Sequence, residues 1–449
     1  MARLLYNLLL FLFAPLILLY LLFRLAKGKE DKEHWGERWG KLPETVSRDP
    51  RVPRFWVHAV SVGEVIAAVP VLRELRRRWP EAFILLSTTT PGGRAVALKQ
   101  IPPADEVVYY PLDYPLLVSR ALRAARPDVV LLMEWEIWPN FLAAAKRGGA
   151  KIAVLNGRVS DRGLRRGTKS TFWTRPGLNR VSLFAMQSDE DARRAVLVGA
   201  DSSHVSVLGN TKFDEGATAL TAEERAALRA DLGIPDTTPI WVCGSTRDNP
   251  NANELDEEVP IAAALQKARI AFPNLALVIA PRHLERAETV AQTFTRAGFS
   301  VARRSKGEKG SDVLLLDTFG ELSRVYAVAD VAFVGGSLVK QGGQSVFQPL
   351  AQGTPCVFGP YMNNQRDIAA LAKAEGVGFE VADAPALAAE VERLLSLPPD
   401  EKRALSAKAR ALIERNQGVS QRCINAVAHL LEGTSVFSRP TKRQGEDAR

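Results

Sequence analysis

The sequence predicts an α/β protein of two doubly wound domains behind an apolar N-terminal segment. Short apolar, β-rich runs alternate with helical patterns from Phe55 onward. The alternation pauses once, across a polar stretch at 214–238 that ends in Pro-Asp-Thr-Thr-Pro, and then restarts. Ahead of both domains, residues 4–23 form a run of 20 residues without a charge.

The apolar run sets the first boundary. About 20 apolar residues match the hydrocarbon core of a bilayer, so residues 1–26 read as a single-pass, uncleaved transmembrane helix. A cleaved signal peptide is the rival, but only Arg3 precedes the run and no small-x-small site follows it. Arg24, Lys27, Lys29 and Lys32 on the exit side outnumber Arg3 and the amino terminus, which directs the remainder of the chain to the cytoplasm. A connector at 27–50 follows, with His34-Trp35-Gly36-Glu37-Arg38-Trp39-Gly40. Such rings beside cations suit a membrane interface, and equally an ordinary surface helix.

The first domain, 51–215, offers strands at 55–60, 83–89, 107–110, 129–133, 151–155, 183–187 and 205–208. These are near-continuous apolar runs, as parallel strands covered on both faces require. Helices lie between them, as at 65–78, where Val65, Val69, Leu72 and Leu75 recur at spacings of four and three. A linker at 216–238 holds one short helix, 222–232. The second domain, 239–420, repeats the plan with strands at 240–244, 275–280, 313–316, 331–334, 356–358 and 378–381. A C-terminal helix and disordered tail, 421–449, complete the chain. Two such sheets are expected to face a cleft, with ligands beyond the carboxyl ends of the strands.

Composition narrows the chemistry. A net charge of +9 suits an anionic partner, whether nucleic acid, an acidic membrane surface or a phosphorylated substrate. No nucleic-acid motif accompanies the charge. Cys243, Cys356 and Cys423 are few, far apart and in apolar surroundings, which argues against a disulfide framework or thiolate zinc site. The histidines lack HExxH or similar spacing, so no metal and no cofactor is expected.

The motifs fall just after strands. In His58-Ala-Val-Ser61-Val-Gly63-Glu64, a glycine turns the chain and Glu64 opens a helix. An acid in the first turn complements the helix dipole; at the carboxyl edge of a strand it is also where a general base belongs. Glu134-Trp-Glu-Ile-Trp-Pro-Asn140 pairs carboxylates with aromatic faces, a combination common in sugar sites and also found in capped loops. Asn156-Gly-Arg158-Val-Ser-Asp-Arg162, with Arg165, Arg166 and Lys169, is a basic cluster that is either a solvated face or a grip on lipid phosphates. In the second domain, Gly244-Ser245-Thr246-Arg247, Pro281-Arg282-His283, the 317–322 turn, Gly335-Gly336-Ser337 and Gly342-Gly343-Gln344-Ser345 form a set of polar or glycine-rich turns that would expose N–H groups to phosphate. None has the spacing of an NAD fingerprint or a P-loop.

Taken in order, the anchor, Ser-Val-Gly-Glu, Glu-x-Glu-Ile-Trp-Pro-Asn, Asn-x-Arg, Gly-Asn-x-Lys-Phe-Asp, Pro-Arg-His, Gly-Glu-Leu and Val-Gly-Gly-Ser-Leu resemble the 3-deoxy-D-manno-oct-2-ulosonic acid (Kdo) transferases of lipopolysaccharide assembly. The likeness extends from the anchor to about residue 420. It implies the GT-B glycosyltransferase architecture, CMP-Kdo as donor, a phosphorylated lipid A precursor (lipid IVA) as acceptor, and a place on the cytoplasmic side of the inner membrane. On this resemblance Glu64 is the catalytic base. Ser245, Thr246, Pro281, Arg282, Phe319, Gly320, Glu321, Leu322, Ser345 and Gln348 fall to the nucleotide, and Ser61, Gly63, Glu134, Arg158 and Lys212 to the acceptor or the donor carboxylate.

The chain departs from the family pattern on the donor side. Gln344-Ser-Val-Phe-Gln348-Pro stands where His-Asn-x-x-Glu-Pro is usual, so Gln348 would accept a ribose hydroxyl without charge assistance. Arg247 replaces a histidine, and Asp248-Asn-Pro-Asn-Ala-Asn-Glu-Leu-Asp stands where Gly-Glu-Glu closely follows; Tyr361 occupies another frequent histidine position. A UDP-sugar transferase or epimerase, or a membrane protein with a degenerate donor site, are the alternatives.

Overall fold

The computed structural model describes residues 2–28, 30–100, 103–169, 171–215, 220–251 and 253–432. It divides into two units, Met1–Glu215 with Gly418–Arg449, and Gly216–Gln417. The tail expected beyond the last helix and the basic flank at Lys29 lie outside the described residues.

Alternation along the strands builds the first unit. Its strands are β1 (Arg54–His58), β2 (Phe83–Thr88), β3 (Glu106–Tyr109), β4 (Val129–Met133), β5 (Lys151–Gly157), β6 (Leu183–Met186) and β7 (Val205–Val207). They pair in parallel in the order β3-β2-β1-β4-β5-β6-β7. Successive side chains point to opposite faces: Trp56, Ile152 and Val154 enter one core, Phe55, Val57, Ala153 and Leu155 the other. Helices cover both faces of the central strands, which are buried and mostly apolar, while β7 at the edge is largely exposed.

The second unit repeats the design with β8 (Ile240–Thr246), β9 (Ala276–Pro281), β10 (Val301–Arg303), β11 (Val313–Leu315), β12 (Val331–Val334), β13 (Cys356–Phe358) and β14 (Gly378–Glu380). Their order is β10-β11-β9-β8-β12-β13-β14, again wholly parallel. Both predicted doubly wound sheets are present, and every expected strand forms within two residues of its predicted ends. β10 is the exception in the other direction. It is a three-residue edge strand with arginines at and beyond its end, so it has no apolar run to announce it.

Strand order reverses between β1 and β4 in the first sheet and between β8 and β12 in the second. Those switch points, at the carboxyl ends, are where open α/β sheets hold ligands. Backbone irregularity gathers there. Of the non-glycine residues with positive φ, Glu134 (φ 57) follows β4, Asn156 (φ 55) ends β5 and Ser245 (φ 58) ends β8. The last two coincide with breaks in register.

The N-terminal segment differs from the expected straight span. It forms two helices, Ala2–Leu12 and Ala14–Ala26, bent by 55°. Pro15 explains the break, since it has no N–H to donate and its ring collides with the carbonyl one turn back. Among the described residues no single helix is long and apolar enough to cross a membrane. The first helix docks on its own unit: Tyr6 donates to Asp113 Oδ2 at 3.0 Å, Asn140 Nδ2 to Asn7 Oδ1 at 2.6 Å, and Phe11 meets Tyr114 edge-on at 5.6 Å. Leu4, Leu8, Leu12, Leu16, Leu19 and Phe23 remain exposed.

The C-terminal helix, Val419–Glu432, returns to the first unit and buries Val419, Cys423, Ile424, Val427 and Leu431 beside Leu72 and Leu75. One carboxylate fixes its start. Asp214 accepts from the N–H groups of Gly418 (2.6 Å), Val419 (3.3 Å) and Ser420 (2.5 Å). Asp214→Ala should therefore cost about 1–3 kcal/mol of stability, measured as a lower urea midpoint with the secondary structure of the native protein retained before the transition.

Candidate active site

Glu64 is the third residue of the helix Val62–Arg78, within its first turn, shortly beyond β1. It is only 9% exposed. Val60 N–H donates to Oε2 at 2.9 Å and the Ser61 hydroxyl to Oε1 at 3.0 Å, so the chain entering the helix wraps the carboxyl it carries. Burial drives its pKa up to about 8, with the negative charge of Glu134 adding to the effect; the two hydrogen bonds oppose it. Gly63 beside it is exposed, and a Cβ there would meet nothing within 4 Å. The arrangement is a high-pKa carboxyl at the switch point with open space next to it.

Glu134 comes from the far side of that switch point, at the end of β4. Its N–H donates to Leu155 O at 2.9 Å and holds the strained turn. Glu136 is also pushed up by burial, though Trp138 Nε1 donates to it at 2.9 Å. The tryptophan faces are partly used by the protein itself: Trp135 lies against Phe184 and Trp138 against Tyr110. Tyr110 in turn stacks on His58 at 3.9 Å. His58 is fully buried and held neutral by burial, its pKa lowered to about 3.

Of the remaining first-unit candidates, Lys212 is tied to the same helix through its neighbour Thr211. Asn156 Oδ1 accepts from Thr211 N–H at 3.0 Å, and the Thr211 hydroxyl donates to Ala67 O at 2.8 Å, in the helix that carries Glu64. This seats Lys212 there, half-buried beside Glu215, whose carboxyl burial pushes up to about 7 despite that lysine. Arg158 follows two residues after Asn156 and is half-buried. Arg162, Arg165 and Arg166 are exposed.

In the second unit the candidate nucleotide residues also share one sheet edge. Ser245 and Thr246 end β8 and Pro281 ends β9, with Arg282 N–H donating to Thr246 O at 3.0 Å. The Arg282 side chain is exposed, as is Phe319 at 85%. Gly320 takes φ 90 with open space around it, and Glu321 accepts from Thr318 Oγ1 at 2.7 Å and pairs with Arg304 at 2.9 Å. Leu322 opens the next short helix; Ser345 and Gln348 are half-buried in the turn and helix beyond β12. Thr246 lies deeper than a surface contact. It is fully buried and its hydroxyl donates to Glu258 at 2.7 Å.

The glycine-rich turn after β12 corrects one expectation. Its N–H groups do not face open space. Gly336, Ser337 and Leu338 donate to the Glu257 carboxylate at 2.6, 2.9 and 2.9 Å, and Arg247 N–H joins them at 3.1 Å. Gly343 N–H is also taken, by Gly336 O at 2.8 Å. Gly335 shows how tight the fit is: a Cβ there would lie 2.3 Å from Ser245 O. The sequence reading missed Glu257 and its neighbour Glu258, which receives Arg286 at 2.8 Å. The signal was an acid pair after the Asp248–Asp256 insertion, displaced from where the family pattern carries its own. Among the described residues no group of three or more His, Cys, Asp or Glu side chains could hold a metal ion.

Comparisons with known proteins bear on the family and the fold. A sequence model of the family described as "3-Deoxy-D-manno-octulosonic-acid transferase (kdotransferase)" matches residues 33–215. The 3-deoxy-D-manno-octulosonic acid transferase of Haemophilus influenzae is 31% identical over 96% of this chain and 99% of its own length. This chain belongs to the Kdo transferase family. The Kdo transferase of Bordetella pertussis is 34% identical, over 95% of this chain and 99% of its own. Solved structures with the same fold include a glycosyltransferase from Rickettsia africae (12% identity, TM-score 0.59, 85% of this chain and 100% of that one) and the UDP-GlcNAc 2-epimerase of Neisseria meningitidis (13%, 0.58, 84% and 99%). The fold is GT-B-like, and the protein is a glycosyltransferase acting in Kdo transfer.

Two outcomes follow for this Kdo transferase. The folded state raises the Glu64 pKa, so between about pH 4.5 and 8 it binds a proton that the unfolded chain releases, and stability falls as pH rises through that window. Glu64→Gln should accordingly raise stability at pH 8 by about 1–3 kcal/mol, with the gain disappearing near pH 4; thermal melts across that range measure it. Glu257→Ala strands four N–H groups and should cost about 2–4 kcal/mol, seen in the same melts.

Proposed function

We propose that this protein transfers Kdo from CMP-Kdo to a hydroxyl of a phosphorylated lipid A precursor, inverting the anomeric centre without a metal. The observation that carries the reading is the Glu64 carboxyl, with a pKa near 8 beside an open glycine at the switch point of its sheet. A base of that strength removes an alcohol proton as the oxygen attacks the anomeric carbon, and a positioned base contributes about 10²–10⁴-fold. CMP leaves with the pair of electrons from the broken bond. The exposed Arg282 guanidinium meets the charge that gathers on its single phosphate. Phe319, Gly320, Ser345 and Gln348 hold the nucleotide, while Lys212 and Arg158 meet acceptor phosphates or the donor carboxylate.

The bent N-terminal helices hold the enzyme at the cytoplasmic face of the inner membrane. Their outward leucines and phenylalanines support this reading, as do the cations that follow them. Tethering the enzyme to the phase that holds its acceptor raises the effective concentration of both.

Purified protein incubated with CMP-Kdo and a tetra-acylated lipid A precursor should give a Kdo-bearing product by mass spectrometry, undiminished by EDTA. Release of UDP from a UDP-sugar instead would replace this reading. The rate should rise with pH along a limb near 8, the pKa of the base. Glu134→Gln removes a like charge and should move that limb to lower pH. Glu64→Ala should abolish transfer while CMP still binds. Substantial turnover in Glu64→Ala would remove Glu64 from the role.

A further inference from the structure

The second unit carries a cavity of about 470 Å³ that takes no part in the reading above. It opens at the amino-terminal edge of the sheet, where Ala329 and Asp330 lead into β12 and Thr354 and Pro355 into β13. The nucleotide turns lie at the carboxyl edge. The two sites are at opposite ends of the same strands.

Charge in the cavity is one-sided. Arg225, Lys402, Arg403 and Arg410 line it, against the single acid Asp330, which already accepts from Ile240 N–H at 2.8 Å. Arg403 pairs with Asp400. Among the described residues Arg225, Lys402 and Arg410 have no carboxylate partner, and Arg410 donates only to the Ser406 hydroxyl, at 2.6 Å. Burial and the neighbouring Arg410 lower the Arg225 pKa, so the two guanidinium groups repel one another across the site. A doubly charged anion would relieve that repulsion, and the planar arginine forks fit phosphate oxygens in pairs.

A second feature asks for a different group. Gln352 is 4% exposed and lines the cavity, yet its Oε1 has no hydrogen-bond partner. A buried acceptor left unpaired is destabilising; Oε1 is closed to a water-sized group as it stands, and a turn of the amide toward the cavity would let a ligand hydroxyl satisfy it. The site is also built by the backbone. Gly353 turns at φ 79, and a Cβ there would fall 2.5 Å from Ser406 Oγ and 2.8 Å from Arg410 Nε. Only a glycine allows the Arg410 side chain to lie across this turn. Leu394 and Leu405 supply an apolar wall.

We propose that this cavity is a second ligand site, separate from the donor site, for a small phosphorylated molecule bearing hydroxyl groups, such as a sugar phosphate. The arginines bind the phosphate and the Gln352 amide oxygen accepts from a hydroxyl.

Isothermal titration of the full chain with ribose 5-phosphate and, separately, inorganic phosphate tests this. Saturable binding of both is expected, with ribose 5-phosphate the tighter. Arg225→Ala and Arg410→Ala should each weaken both ligands by about tenfold or more, the loss of one good ionic hydrogen-bond pair. Gln352→Leu should weaken ribose 5-phosphate alone and raise the melting temperature. Both titrations should persist when the donor edge is filled with saturating CMP. Should an arginine variant fail to fold, Lys402→Glu at the rim keeps the packing and should weaken both ligands. Binding that survives Arg225→Ala and Lys402→Glu, that disappears under saturating CMP, or that fails to saturate at millimolar concentration overturns the proposal.

Discussion

A carboxylate taken out of water must be met by hydrogen-bond donors or take up a proton, and both sheets of this protein are organised around that requirement. Loops at the carboxyl ends of parallel strands carry N–H groups that neither sheet nor helix satisfies. A buried acid answers them. Glu257 gathers four N–H groups from two loops, and Asp113 takes Asn140 N–H at 3.1 Å, Phe141 N–H at 2.8 Å and the Tyr6 hydroxyl. Asp214 does the same for the start of the C-terminal helix. Each acid ties together segments distant in sequence.

Glu64 belongs to this series and differs in one respect. It is a little less buried than Glu257 and Asp113, receives only one N–H and one hydroxyl, and faces the charge of Glu134 across the switch point. Its anion is the least supported. The desolvation that raises its pKa would be a defect in a purely structural acid. Glu257, pushed up only to about 7 although it is almost wholly enclosed, shows what additional N–H donors achieve.

Much of this was legible in the chain. The apolar runs gave the strands because parallel strands covered on both faces tolerate few polar residues. Glu64 does lie in the first turn of the helix past β1, but Val62 and Gly63 already belong to that helix and do not form the expected turn. What stayed hidden has physical causes. β10 is too short and too basic to show a pattern. The C-terminal helix has the apolar spacing of any amphipathic helix, and nothing in that spacing states that its partner is Leu72 of the first unit. Glu257 lies outside any recognisable turn, since its role depends on three N–H groups about 80 residues later in the chain. The glycine-rich turn it serves looked like a phosphate cradle because glycine permits close approach by any acceptor, whether ligand or side chain.

The N-terminal helices show the same coupling at larger scale. Hydropathy sees only a charge-free run, but within it Tyr6 and Asn7 point at the first unit, where Asp113 and Asn140 receive them. Asp113 uses its remaining capacity on the N–H groups of Asn140 and Phe141. Those residues continue directly from the Glu134–Trp138 segment, whose first acid raises the pKa of Glu64. The apolar helices thus touch one end of this short loop, and Glu64 feels the charge at the other. A displacement of the helices against the unit would be felt at Asn140 first, and the shortest covalent path onward from there leads to Glu134.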